Sequence, residues 1–154
     1  MIRHQPIETP ITGREDGGGN ESIAALAQFY CAFNSRDLAL MAENWDASED
    51  VAMNNPLGGI MRGWQNIRSV YERIFTGPAR VRVEFHDYTV HVVGDVFYAV
   101  GRERGTFERN GNKLDLAIRT TRIFKRIGGR WRQVHHHGSI DDPDLLKAYR
   151  QAVR

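Results

Sequence analysis

Three consecutive histidines, His135, His136 and His137, place half of the chain's six imidazoles on one short stretch. They follow Gly128-Gly129 and the run Arg130-Trp131-Arg132-Gln133-Val134, which reads as a turn feeding a half-buried strand. Side chains alternate across a strand, so His135 and His137 face one way and His136 the other. Imidazole changes charge near neutral pH more readily than any other side chain, which makes this strand the first place to look for acid/base work. Arg102 and Arg122 stand in neighbouring strand patterns. A guanidinium among apolar side chains is costly unless paired or liganded, and two of them with an imidazole suit a carboxylate or another small anion.

The elements that must position these groups are legible in order. Residues 1–20 are rich in breakers, include Gly17-Gly18-Gly19 and lack periodicity, so a mobile tail is expected. A first helix starts near Asn20 or Ser22 with Ile23, Leu26, Ala27, Tyr30, Cys31 and Phe33 or Asn34 on one stripe. A second runs from Leu38 to Trp45 behind Asp37, and a third from Trp64 to Phe75, opened by Gly63 and stopped by Gly77-Pro78. Between them lie two short strands, near Val51–Met53 and Ile60-Met61, with Asn54-Asn55-Pro56 as a turn or a pocket rim. From Arg80 the period changes to two. Strands are expected over 80–93, 96–108, 113–126 and 130–139, joined by Gly94-Asp95, Asn110-Gly111 and Gly128-Gly129. Asp142-Pro143 then caps a last helix to about Val153, which either crosses to a partner or folds back. Helices followed by an antiparallel meander give an α+β domain over 21–154: a cone-shaped, curled sheet covered by the N-terminal helices.

Alternation assigns faces. Leu114, Leu116, Ile118, Thr120, Arg122 and Phe124 form the more apolar face of their strand and should point at the helices. In the preceding strand Val96, Tyr98, Val100, Arg102 and Arg104 are read as inward, while Ala99, Gly101 and Gly105 leave a flat face for a second subunit. Val134 and His136 are read together, opposite Trp131, Gln133, His135 and His137. The expected pocket therefore holds Arg102, Arg122 and His136 under a roof of Tyr30, Phe33, Trp64 and Tyr98. The expected homodimer interface holds His135, His137, Glu103 and Arg119, with Thr121. Two structural readings stand beside these: each arginine paired with an acid from a helix, and His136 as a core histidine bonded to backbone. His135 and His137 have a spacing two metal ligands could use, but no third ligand is evident, so no metal or cofactor is expected.

The totals narrow the classes. The 154 residues suffice for one domain with a core. A net charge of +2, from 21 basic and 19 acidic residues without a basic block, argues against a nucleic-acid partner. One cysteine, Cys31, excludes an intrachain disulfide and fits a reducing compartment. Without an apolar leader or a run of membrane-spanning length, no membrane partner is expected and the cytoplasm is the default location.

Several phrases carry a family likeness: Phe29-Tyr30-Cys31-Ala32-Phe33-Asn34-Ser35-Arg36-Asp37, Gly63-Trp64-Gln65-Asn66-Ile67, Thr121-Arg122-Ile123-Phe124-Lys125-Arg126, and the stretch from Gly129 to Ser139. From about Glu21 to Ser139 the chain resembles the nuclear transport factor 2-like superfamily (a cystatin-like fold), and within it the SnoaL-like group of polyketide cyclases and ketosteroid isomerase-like proteins. Its last strand also resembles the calcium/calmodulin-dependent kinase association domain, an oligomerisation hub with pocket arginines. The resemblance implies a pocket at Arg102 and Arg122; the third arginine of that domain corresponds to Gly138 here. The Asp, Tyr and Asp of ketosteroid isomerases have no matching set, and Asp50 with Glu49 is the nearest acidic pair.

Two functions follow as expectations. One is a small-molecule pocket for an anionic or carbonyl-bearing ligand, with cofactor-independent isomerase, cyclase or dehydratase chemistry, in which His136 is the acid/base and Arg122 polarises the substrate. The other is a non-catalytic homo-oligomerisation module with a vestigial or regulatory pocket.

Overall fold

The computed structural model describes residues 5–154. Three helices come first: α1 (Glu21–Ser35), α2 (Leu38–Asn44) and α3 (Trp64–Thr76), the last preceded by β1 (Ala52–Asn54) and β2 (Ile60–Arg62). The meander follows as β3 (Arg80–Val93), β4 (Val96–Arg109), β5 (Asn112–Ile127) and β6 (Arg130–Ser139), and α4 (Pro143–Ala152) closes the chain. All six strands form one sheet in the order β2-β1-β6-β5-β4-β3, with β1 parallel to β6 and the other pairs antiparallel. This is the expected α+β architecture, a curled sheet with helices against its concave face.

Local chemistry explains the boundaries. The Asn20 side chain accepts from Ser22 N and Ile23 N, and Asp37 and Asp142 cap α2 and α4 in the same way. Asn110 and Gly111 both take positive φ, as a two-residue hairpin turn between right-twisted strands requires. The core fills the concave side: Leu26, Phe29 and Tyr30 of α1 meet Phe85, Phe97 and Phe124 of the sheet, all fully buried. Phe97 and Phe124 stack at 4.6 Å across β4 and β5, and Trp131 stands edge-on to Phe97 at 4.9 Å.

The lead-in to α1 departs from the expected mobile tail. Its first four residues lie outside the described residues, but Ile7 bridges to Tyr88 and Ile11 to Phe85 along the free edge of β3. Ile11 is 1% exposed. Asn34 locks this arrangement, donating to the carbonyls of Thr12 (3.2 Å) and Val83 (2.8 Å) while accepting from Val83 N (2.9 Å). An exposed sheet edge is an open row of hydrogen-bonding groups, and the segment satisfies part of it. Two isolated isoleucines between breakers give no period, so the sequence pattern concealed this role.

Candidate functional site

Register decides what the concave face offers. The tight turn at Asn110-Gly111 pairs Arg109 with Asn112, and counting back along both strands pairs Arg122 with Ala99, Thr120 with Gly101 and Ile118 with Glu103. Directly opposed residues share a face. The inward residues of β4 are therefore Phe97, Ala99, Glu103 and Phe107, all buried, whereas Tyr98, Val100, Arg102 and Arg104 are exposed. This inverts the expected reading of β4. Arg102 lies on the outer face, its Nε 3.6 Å from Asp87 Oδ2, with no role in the pocket. Tyr98 stacks on His91 at 4.6 Å, also outside. Glu103, expected at an interface, is 5% exposed on the inside. The small residues serve the fold: a methyl on Gly101 would come within 2.7 Å of the Tyr88 Cβ, and one on Gly105 would overlap the Arg82 carbonyl oxygen.

A second parity change occurs in β6. Ile123 pairs with His135 and Phe124 with Gln133, which leaves Val134 as a bulge. Trp131 and Gln133 consequently join His136 on the inner face and are buried, against the expectation that they oppose it. His136 is inward as expected, 7% exposed.

Arg122 is the hub of a buried polar chain. Its Nε donates to Tyr30 Oη (3.2 Å), Nη1 to Gln133 Oε1 (2.8 Å) and Nη2 to Glu103 Oε1 (3.3 Å). The guanidinium carbon lies 3.5 Å from the centroid of the Phe29 ring. Gln133 Nε2 donates to Asn44 Oδ1 (3.0 Å), and Asn44 Nδ2 donates to Ala25 O (2.9 Å), so the chain runs from the sheet into α1 and α2. Thr120 Oγ1 donates to the same Glu103 oxygen at 2.7 Å. Burial opposes the Arg122 charge, but the neighbouring Tyr30 and Glu103 outweigh it and hold the guanidinium pKa above its ordinary value. Burial pushes the Tyr30 hydroxyl up as well, and Glu103 adds to the effect. The acid that pairs Arg122 thus comes from a strand, not from a helix.

His136 is different. Its Nε2 lies 3.8 Å from Glu103 Oε1, yet neither ring nitrogen has a hydrogen-bond partner among the described residues. It is not a core histidine tied to backbone. Burial drives its pKa well below the ordinary imidazole value, and the charges of Arg122, His135 and His137 push the same way. The ring is therefore neutral at pH 7, one nitrogen a donor and the other an acceptor. Leaving such a group unsatisfied costs about 1–3 kcal/mol.

His136, Glu103 and Arg122 lie at the buried end of a cavity of about 410 Å³. Its lining grades from these buried groups, past Phe33, Leu116 and Ile118, to the exposed Arg73, Pro78 and Val153. Asn55 and Pro56, read from the sequence as a turn or a pocket rim, contribute to the wall, while Glu49 and Asp50 are exposed and do not line it. Of the expected roof, Phe33 lines the cavity. Tyr30 is spent on Arg122, and Trp64 is buried beside Trp45 at 6.3 Å. Helix α4 folds back over the open side: Tyr149 meets Phe107 edge-on at 5.5 Å, and Arg150 Nε donates to Leu57 O at 3.3 Å. Burial raises the Tyr149 hydroxyl to about 12.

The other two histidines of the run do not face the cavity. His135 Nδ1 donates to Ala52 O at 2.8 Å, at the seam with β1. His137 and Arg119 are exposed on the outer face, where a groove of about 480 Å³ also includes Arg102, Thr121 and Ser139. Among the described residues no cluster of three metal-ligating side chains forms, and no helix is long and apolar enough to cross a membrane.

Residues 23–143 match the SnoaL-like domain profile. The F-box protein SKIP8 of Arabidopsis thaliana is 22% identical over 143 residues, covering 90% of this chain and 59% of that protein, so the chain spans little more than half of that relative's length. A candidate dehydratase of the NTF2-like family from Streptomyces avermitilis is 19% identical, with a TM-score of 0.69 over 77% of this chain and 93% of that one. A candidate calcium/calmodulin-dependent protein kinase type II association domain from Thiobacillus denitrificans is 25% identical, with a TM-score of 0.63 over 77% of this chain and 94% of that one.

Proposed function

Because this chain belongs to the SnoaL-like domain family and has the NTF2-like fold, we propose that its cavity takes a small carbonyl-bearing molecule and works on it by cofactor-independent acid/base chemistry of the isomerase, cyclase or dehydratase kind. The observation that carries this reading is the neutral, unpartnered His136 ring beside a buried carboxylate at the closed end of the cavity. An orphaned buried polar group is a cost to the folded protein that a ligand would offset.

The division of labour follows from the hydrogen bonds. Thr120 and Arg122 both hold Oε1 of Glu103, while Oε2 accepts no hydrogen bond among the described residues. Oε2 is the acceptor for a proton on the carbon next to a substrate carbonyl. As that proton leaves, the electron pair moves onto the carbonyl oxygen, and the N–H of His136 donates to the developing oxyanion. Return of the proton to a different atom gives isomerisation. Arg122 is a positioning residue here, because its charge is already offset by Glu103 and each of its three nitrogens already donates one hydrogen bond. The anionic-ligand alternative at Arg122 loses force for the same reason.

The test is deuterium uptake by apolar ketones in D2O, followed by proton NMR. The reading requires uptake above buffer background that falls at least tenfold in His136→Gln and in the Glu103→Leu/Arg122→Met double variant. Uptake that survives both variants, or is absent with every ketone, sinks it.

A second reading is that of a homo-oligomerisation module. Exposed Tyr98 and Val100 on the outer sheet face favour it, beside a groove edged by Arg119 and His137. Similarity to the Thiobacillus protein, whose name is that of an association domain, supports assembly with a second copy, for which the outer face is the surface we propose. The two readings are compatible, since they use opposite faces of one sheet.

A further inference from the structure

We infer that the cavity's occupant is amphipathic: an apolar body with a neutral hydrogen-bonding group at the closed end and an anionic group left at the mouth, held by Arg73 and Arg109. This rests on the reading of the cavity as a ligand pocket.

The closed end repels an anion. The Arg122 guanidinium has Phe29 over one face, and its nitrogens already donate to Tyr30, Gln133 and Glu103. His136 faces the same space without a charge, and the Glu103 carboxylate lines it. A carboxylate brought there would meet a like charge in a poorly screened site, with no uncommitted cation to receive it.

The mouth is the reverse. Arg73 in the last turns of α3 and Arg109 at the end of β4 both line the cavity. No Asp or Glu side chain lies within ion-pair distance of either among the described residues. Arg109 Nη1 already reaches one oxygen, that of Arg154, at 3.4 Å. Between the ends the wall is apolar, formed by Phe33, Ile74, Val81, Phe107, Leu116 and Ile118. A molecule that matches all three zones carries its charge at one end, and two guanidiniums at a partly solvated rim suit a carboxylate.

Isothermal titration with decanoate and with 1-decanol tests this. The wild-type protein should bind decanoate at least tenfold more tightly than 1-decanol. In Arg73→Gln/Arg109→Gln that preference should vanish while 1-decanol affinity stays within twofold. Leu116→Trp, with its fold checked by circular dichroism, should weaken both. Equal wild-type affinities, or a preference that persists in the arginine variant, overturn the anionic-tail assignment and leave the pocket reading standing. Decanoate binding that survives Leu116→Trp assigns it to the surface and overturns the inference. Binding of neither probe counts against both.

Discussion

The Arg122 guanidinium reaches Glu103 Oε1 at 3.3 Å, with both side chains almost wholly withdrawn from water. These residues are 19 apart in sequence and meet because β4 and β5 are paired in one register. Their pairing turns a costly buried cation into a neutral pair, and both residues line the cavity.

Removing one partner of that pair should be far worse than removing both. Glu103→Gln leaves Arg122 with an uncompensated charge and should cost about 3–5 kcal/mol. Glu103→Leu with Arg122→Met should recover most of that loss. Urea denaturation of the three proteins at pH 7.5 measures it, and equal stability of the single and double variants would contradict the pairing.

Stability should fall as the pH drops below about 6.5. In the unfolded chain His136 binds a proton at an ordinary pKa near 6.5, whereas in the folded chain burial holds that pKa well below. Between the two values the unfolded state holds more protons, so this group's contribution is complete above 6.5 and declines by about 1.4 kcal/mol per unit below it. Unfolding free energies at pH 7.5 and 5.5 should differ by less in His136→Gln than in the wild type.

The segment before α1 should contribute to stability. Ile11→Ala removes a side chain that is 1% exposed and should cost about 2–5 kcal/mol if its site cannot collapse. Thermal denaturation with calorimetric detection measures this. A change under 0.5 kcal/mol would mean that the segment is dispensable.

Charge on the outer sheet face should separate copies of the chain. Tyr98→Arg with Val100→Asp alters two exposed residues of the outer face. Light scattering behind size exclusion should report a multiple of the chain mass for the wild type and the chain mass for the variant, with little change in melting temperature. A wild-type monomer would remove the oligomerisation reading.

Much of this protein was determined by sequence alone, for local reasons. The caps at Asn20, Asp37 and Asp142, the breaker pair Gly77-Pro78 and the turn at Asn110-Gly111 fixed the elements within a residue or two. Arg122 is the one charged residue on the apolar face between Leu114 and Phe124, and alternation within the histidine run turned His136 inward. Glu103 was within reach as well, since counting back from Asn110-Gly111 sets it beside Ile118. Composition pointed the other way, because Tyr98 and Val100 look more like core than Ala99, Gly101 and Glu103 do.

Tertiary structure decided the rest. The bulge at Val134 carries no local signature, and it alone brings Gln133 and His136 to the same face. The partners of Arg122 come from α1, β4 and β6, and no sequence spacing announces such a meeting. Ile11 acquires its place from the unpaired edge of β3, not from its neighbours in the chain. Helix caps and turns are satisfied by residues a few positions apart, so they are written locally. Which charges are buried together depends on strand register and on a single inserted residue, and only the folded sheet sets those.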